Sequence, residues 1–375
     1  MKIAIATGPW FPVPTLQGGA HHRLWQGLAE EFAAVGHDVT IVCRSYPTQP
    51  RTEVIKGVRY FRWGGFSQST NIWFDLIKDG LYALTTFPVL PQSDILVIND
   101  FWLPVIAPFH PRVDRTVISV GRFPKGQFSL YKSVNHIAVL SRAMYQEIAK
   151  QSPFATEKMS IVPNPVNTQI FSPLSIAKQQ TEKVILYVGR LHPEKGVHLL
   201  VDAFKLISQR NLNAKLCILG PFQDAQGGGG ESYLNQLKQQ AEKLNVEFLD
   251  PVFDLDQLAN YYRNADLFCY PSLAEKGEAF PIAPLEAMAS GVAPIVSNLS
   301  CFKDYIKDNH TGFFFNHRGS DAAQNLADIL TAALLNSTNT TRVAHNAAQQ
   351  AQTYSYSQIA KRYLTDFERL LRQKP

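Results

Sequence analysis

Two glutamates, Glu278 and Glu286, stand eight residues apart in Glu278-Ala-Phe-Pro-Ile-Ala-Pro-Leu-Glu286-Ala-Met-Ala-Ser-Gly291. Glu286 opens a short run of good helix formers that ends at Gly291, and Glu278 lies upstream in a loop with Pro281 and Pro284. One carboxylate therefore falls near a helix start, where unpaired N–H groups and a positive dipole end suit a phosphate. The other can accept hydrogen bonds from sugar hydroxyls. The pair suits an anionic, hydroxyl-rich ligand such as a nucleotide sugar. It suits a capped surface helix with two solvated acids equally well, and spacing alone leaves both open.

A second constellation is Gly189-Arg190-Leu191-His192-Pro193-Glu194-Lys195-Gly196, between an expected strand and an expected helix. In open α/β sheets ligands bind outside the carboxyl ends of the strands. An Arg fork and a Lys point charge at such an end suit a diphosphate, and both stay cationic at pH 7. Neither the phosphate-binding P-loop nor the dinucleotide glycine fingerprint is present. Nucleoside triphosphate hydrolysis and nicotinamide binding are therefore disfavoured.

Strand ends and helix starts must hold these groups, and the apolar pattern supplies them twice over. In the first half, strands are expected at residues 2–6, 38–43, 54–63, 95–98, 116–120 and 136–140. Helices are expected at 20–35 and 71–87, and after Ser141, which is placed to cap one. The strand–helix–strand start implies a parallel sheet with right-handed crossovers. After the Pro163-Asn164-Pro165 segment, Pro173 and a polar stretch, the alternation restarts. Strands are expected at 184–188, 215–219, 246–249, 267–270 and 293–296. Helices are expected at 197–210, 232–244, 255–264, 285–289 and 322–335. The Gly227–Gly230 run is most simply a surface loop. A last helix over 356–371 carries Ile359, Tyr363, Phe367, Leu370 and Leu371 at helical spacing, so it must pack on something. The expected organisation is an N-terminal domain over 1–170, a linker over 171–183 and a second domain over 184–352. A closing segment over 353–375 is expected to return to the first domain. Both domains are doubly wound α/β units.

Bulk properties agree. A chain of 375 residues is too long for one typical core, and 45% hydrophobic with 18% charged residues is an ordinary globular composition. The apolar stretch 95–109 is interrupted by Asn99, Asp100 and two prolines, so no membrane span is expected. The first residues hold too short an apolar run for a signal peptide. Cys43, Cys217, Cys269 and Cys301 lack paired metal spacing and are expected to be free thiols. A cytoplasmic location follows. Residues 1–180 carry 17 Lys+Arg against 11 Asp+Glu, whereas residues 181–375 carry 19 against 20. The basic excess belongs to the first half and suits an anionic partner there, or simply a basic soluble surface. The aromatic stretch from Phe66 to Phe87, with Trp10 and Phe11, is expected to pack in the core; an apolar surface beside the basic half is the alternative.

Taken together, Gly189-Arg190…Glu194-Lys195-Gly196 and Glu278…Glu286-Ala-Met-Ala-Ser-Gly291 resemble the retaining nucleotide-sugar glycosyltransferases of family 4, with the GT-B fold. Gly18-Gly19-Ala20, Gly36-His37-Asp38-Val39-Thr40, Val162-Pro163-Asn164-Pro165-Val166-Asn167, Asn264-Ala265-Asp266-Leu267 and Thr311-Gly312 extend the resemblance over nearly the whole chain. It implies two Rossmann-like domains facing across a cleft, with the C-terminal helix crossing back to the N-terminal domain. It also implies that Arg190 and Lys195 hold the donor diphosphate, Glu286 the ribose hydroxyls and Glu278 the transferred sugar. Ala279, Phe280, Pro281 and Ile282 would line the phosphate and sugar, although Pro281 has no N–H to give. Gly18 and Gly19 would let the N-terminal loop approach the diphosphate. The expected partners are a nucleoside diphosphate sugar and a saccharide or lipid-linked acceptor, with peripheral association at the inner face of a membrane and no nucleic acid. No metal and no other cofactor is expected.

One departure concerns the N-terminal domain. Many members of the family carry a His at the end of the strand that reads Thr116-Val-Ile-Ser-Val-Gly121-Arg122 here, and Gly121 falls at that place. A second common His corresponds to Asn99, which precedes Asp100, a candidate for orienting the acceptor. Front-face attack, in which a donor phosphate oxygen takes the acceptor's proton, needs no protein base. His21, His22 and the Arg122–Gly126 segment fall on the acceptor side. Two other activities fit the same residues: a nucleotide-sugar 2-epimerase-like isomerase, and a degenerate sugar-nucleotide-binding protein without turnover.

Overall fold

A computed structural model describes residues 1–15, 19–69, 71–174 and 182–373 of the chain. Two compact units emerge: Met1–Pro165 with the chain from Tyr356 onward, and Val166–Ser355.

In the first unit the apolar runs become strands β1 (Lys2–Ala6), β2 (Asp38–Cys43), β3 (Thr52–Ile55), β4 (Val58–Arg62), β5 (Ser93–Ile98), β6 (Val113–Val120), β7 (His136–Val139) and β8 (Met159–Ile161). They form one sheet in the order β3-β4-β2-β1-β5-β6-β7-β8, parallel throughout except for the β3–β4 pair. The single strand expected over 54–63 is thus a hairpin. Its two-residue turn, Lys56-Gly57, has both φ angles positive (47° and 79°), the geometry that matches strand twist. The helices are α1 (Ala20–Ala34), α2 (Ile72–Thr86), α3 (Leu103–Ile106) and α4 (Arg142–Gln151). Helix α1 buries Leu24, Trp25, Leu28 and Phe32. Asn71 caps α2 by accepting the Trp73 N–H at 2.9 Å, and Ser141 caps α4 through Met144 N.

The second unit holds β9 (Lys183–Val188), β10 (Ala214–Leu219), β11 (Val246–Leu249), β12 (Leu267–Tyr270), β13 (Ala293–Ser297) and β14 (Phe313–Phe315), all parallel, in the order β11-β10-β9-β12-β13-β14. Its helices are α5 (Val197–Ser208), α6 (Gly230–Gln240), α7 (Leu255–Asn264), α8 (Ala283–Ala289), α9 (Ala322–Leu335) and α10 (Ser337–Gln352). Helix α10 and strands β8 and β14 were not expected. The α10 sequence is rich in Ser, Thr, Asn and Gln, and only the thin stripe Val343, Ala347 and Ala351 is buried. The two strands are three residues each, too short for a periodic signal.

The boundary differs from the expected linker at 171–183. Residues from Val166 onward belong to the second unit, because Phe171 packs on Tyr262 at 5.8 Å and Val166 N–H donates to Tyr354 O at 2.8 Å. Part of the expected linker, 175–181, lies outside the described residues. The final helix α11 (Tyr356–Arg372) packs in the first unit. Tyr363 meets Trp25 at 5.2 Å and Phe367 meets Phe32 at 5.9 Å. Ser160 donates to Asp366 at 2.6 Å, and its hydroxyl lies 2.8 Å from His136 Nε2.

The aromatic stretch departs most from expectation. Helix α2 turns Asp79, Tyr82, Ala83 and Thr86 inward. Ile72, Trp73, Phe74, Ile77, Leu81 and Leu84 face solvent, with Trp73 at 72% exposure. Core packing was the wrong expectation for them. The period is helical, but the polar Asp79 occupies the inward stripe, where it accepts the backbone N–H groups of Phe101 and Trp102.

Candidate functional site

The order of the second sheet reverses between β9 and β12: from β9 the chain moves outward through β10 to β11, then returns to β12 and continues to β14. Such a switch point leaves a crevice outside the carboxyl ends of the two strands. Here one strand leads to Lys195 and the other to Ser272 and Glu278. The turn Pro193–Lys195 carries Lys195 back over the sheet edge, and Gly196 (φ 68°) starts α5. A Cβ on Gly196 would stand 2.1 Å from Pro271 O, so only glycine lets these two segments touch.

Lys195 donates to Glu278 Oε1 at 2.6 Å, and the residues are only 6% and 8% exposed. Ser272 Oγ and Tyr270 OH donate to the same oxygen at 2.7 and 3.2 Å. Three donors therefore hold one carboxylate oxygen, which a buried charge requires. Tyr270 in turn is pushed well above the usual phenol range by burial and then by the Glu278 charge. Arg190, half-exposed, donates to Glu194 Oε1 at 2.8 Å and to Gly227 O at 2.5 Å. That contact ties the glycine run to the cationic loop.

Glu286 sits in the fourth position of α8, not at its first residue, and Tyr262 OH donates to its Oε2 at 2.9 Å. Burial and then this carboxylate raise the Tyr262 pKa well above the phenol range, so the hydroxyl stays a donor. Between the two acids, Ala279 and Phe280 are buried. The Phe280 ring packs on Tyr305 at 4.6 Å, and Pro281 O accepts Tyr305 OH at 3.1 Å. Ile282 caps α8 with its carbonyl, accepting Glu286 N–H at 2.8 Å. This packing holds the loop backbone in place.

The second unit thus gathers Arg190, Lys195, Glu278, Ala279, Phe280, Pro281, Ile282 and Glu286. Gly19 and Asp100 belong to the first unit, and Gly18 lies outside the described residues. Gly19 (φ 69°) is the cap of α1, its carbonyl accepting the N–H of His22 and Arg23. Asp100 follows β5, and both of its carboxyl oxygens are buried. Burial and then the Asp79 charge raise its pKa well above the usual carboxylate value, against the backbone N–H groups of Asp100 and Leu103. Asp79 is raised to about 6, again by burial, against its two backbone donors. The sequence reading missed Ser272, Tyr270 and Tyr262. A polar Ser directly after a buried strand was the one available signal. The tyrosines lie in apolar segments and look like core.

Two doubly wound units, the second with a charged pair at its switch point, have the architecture of GT-B type. Residues 18–170 match the family "Glycosyltransferase Family 4" and residues 171–351 match "Glycosyl transferases group 1". The chain belongs to this family, which the two matches describe in consecutive halves. A phosphatidyl-myo-inositol mannosyltransferase of Mycobacterium tuberculosis is 29% identical over 293 residues, covering 75% of this chain and 71% of its own. Among solved structures, sucrose-phosphate synthase from Thermosynechococcus elongatus superposes with a TM-score of 0.78 at 18% identity, covering 98% of both chains. The Anabaena protein HepE, solved with UDP and glucose, gives 0.74 at 17%, covering 98% of this chain and 100% of its own.

Proposed function

We propose that the chain is a retaining, metal-independent glycosyltransferase that moves a hexose-type sugar from a nucleoside diphosphate donor to a hydroxyl of a saccharide, lipid-linked or small-molecule acceptor. The observation that carries this is the buried Lys195–Glu278 pair at the β9/β12 switch point, with Arg190 and Glu286 on the same sheet edge. Lys195 keeps two ammonium hydrogens beyond the one given to Glu278, enough to bind a phosphate oxygen. With Arg190 it stabilises negative charge on the departing diphosphate, the task a divalent cation performs elsewhere. Glu278, fixed from three sides, presents its carboxylate to sugar hydroxyls, and Glu286, steadied by Tyr262, takes the ribose. In front-face transfer the acceptor oxygen bonds to the anomeric carbon as the bond to the diphosphate breaks. The acceptor proton passes to the leaving phosphate oxygen, and the configuration is retained.

The lipid-linked acceptor and a place at the inner membrane face are supported by α2. Its exposed Trp73, Phe74, Ile77, Leu81 and Leu84 form one apolar stripe on the unit whose half of the chain carries the basic excess. Aromatic and aliphatic side chains beside surplus cations suit an anionic bilayer surface. No helix among the described residues is long and apolar enough to cross a membrane. The mannosyltransferase relative is named for a phospholipid acceptor.

The test is a panel of nucleoside diphosphate sugars, with and without acceptors, read by mass and by the anomeric configuration of the product, in buffer with and without EDTA. Transfer with retention in EDTA is expected, and Glu286→Ala should weaken donor binding at least about tenfold. No binding of any donor would sink the proposal. Free nucleotide without acceptor would indicate an isomerase, and an inverted product would remove the retaining step.

A further inference from the structure

The first sheet has its own switch point. Its order reverses between β1 and β5, so the crevice outside these strands lies above Thr7, Gly8, Asn99 and Asp100. From the first turn of α1, His21 enters this crevice. Asn99 Nδ2 donates to Ala6 O at 3.3 Å, which turns Asn99 Oδ1 toward His21 Nε2 at 2.9 Å. An amide oxygen only accepts, so Nε2 carries the imidazole proton and Nδ1 carries the lone pair. Among the described residues Nδ1 has no hydrogen-bond partner.

The ring also accounts for Gly121. A Cβ at residue 121, the first position after β6, would stand 3.0 Å from His21 Cε1 and 3.1 Å from His21 Nδ1. The imidazole crowds that place: it would have to give by a few tenths of an ångström for a Cβ and by more for a larger side chain at the end of β6. His22, the neighbouring ring, points elsewhere and stacks edge-on with Phe11 at 5.2 Å.

We propose that His21 Nδ1 accepts a hydrogen bond from a hydroxyl of the saccharide substrate, and that residue 121 is glycine because the imidazole arrives from α1. This rests on the glycosyl-transfer reading and adds to it a specificity-determining residue in the first unit. Burial, joined by the nearby Arg122 charge, lowers the His21 pKa against the pull of the Asn99 hydrogen bond, so the lone pair persists at neutral pH. The charged and titratable groups facing the ring are Arg122 and His22, and burial and His21 itself lower the latter to about 4.

His21→Ala is expected to lower kcat/KM for transfer about tenfold, the worth of one neutral hydrogen bond to a bound hydroxyl, while binding of the bare nucleoside diphosphate stays unchanged. Gly121→Ala should lower it less, because the ring need give only a few tenths of an ångström, whereas Gly121→Leu should match His21→Ala by displacing the ring, with no left-handed backbone at residue 121 to strain. The double variant His21→Ala/Gly121→His returns an imidazole to the same space from β6 and should recover most of the loss, which a structural role would not allow. ¹⁵N NMR of the histidines should show Nε2 protonated and Nδ1 bare near pH 7.5, with Nδ1 shifting when substrate is added. An active wild-type enzyme with a His21→Ala change under about twofold overturns the inference. A protonated Nδ1 overturns it as well, whatever the activity. A wild-type protein that neither binds nor turns over any donor overturns the glycosyl-transfer reading and this inference with it.

Discussion

Removing either half of the Lys195–Glu278 pair should destabilise the second unit more than its donor contacts alone would suggest. Both side chains are over nine-tenths buried and 2.6 Å apart. Breaking such a pair from one side typically costs about 3–5 kcal/mol, because the other charge stays in low dielectric. The two sides are not equivalent. Without Lys195, Glu278 keeps Ser272 Oγ at 2.7 Å and Tyr270 OH at 3.2 Å. Without Glu278, Lys195 keeps, among the described residues, the Glu194 carboxylate at 3.8 Å and the Tyr270 ring at 5.9 Å. Glu278→Leu should therefore be the worse single change, near the upper end of that range, and Lys195→Met near the lower. At about 2–4 °C per kcal/mol for a unit of this size, melting should fall by roughly 6–20 °C. Lys195→Met/Glu278→Leu removes both charges; Ser272 keeps Glu194 O at 3.3 Å, but the buried Tyr270 hydroxyl loses its acceptor, so the double variant should lie about 1–3 kcal/mol below wild type, well short of the sum of the singles. Urea unfolding followed by fluorescence measures all four proteins. Nucleoside diphosphate at 100 times its Kd should add about 2.7 kcal/mol to wild type and nothing to the double variant. Single variants within about 1 kcal/mol of wild type, or a double variant whose loss equals the sum of the singles, would refute the reasoning: the pair would then be uncoupled.

Asp79 offers a pH-dependent prediction. Its carboxyl titrates at about 6 when folded against about 3.9 unfolded, so the folded chain holds the extra proton between these values. Its contribution is fully present below about pH 4 and is lost as pH rises through about 6. Asp79→Asn keeps an acceptor for the Phe101 and Trp102 amides and removes the charge. It should raise stability by up to about 3 kcal/mol at pH 8 and by nothing at pH 4, read from urea melts; equal effects at both would refute it. On α2, Trp73→Ser/Phe74→Ser/Ile77→Ser should leave the fold intact and reduce flotation with anionic phospholipid vesicles more than tenfold, since each buried side chain is worth about 1.5–3 kcal/mol. Unchanged flotation would remove the bilayer from the account of this face.

Much of the architecture follows from local pattern. Continuous apolar runs such as Ile3–Ala6 and Ile185–Tyr187 are buried on both faces, which parallel strands require, and the loop after each strand end was legible as a place for chemistry. The cationic loop and the two glutamates could be picked out for the same reason: their residue types are costly at a sheet edge unless used. What the chain order could not supply was adjacency. Lys195 and Glu278 are 83 residues apart, His21 and Asn99 are 78 apart, and each pair meets only because a strand order reverses between the elements that carry them. Gly121 looked like a missing side chain, and tertiary structure shows its space crowded from α1. The exposed face of α2 was likewise undecided by period, since helical spacing marks a stripe but does not say whether protein or solvent faces it. Buried Asp79, bonded to the backbone after β5, made that choice.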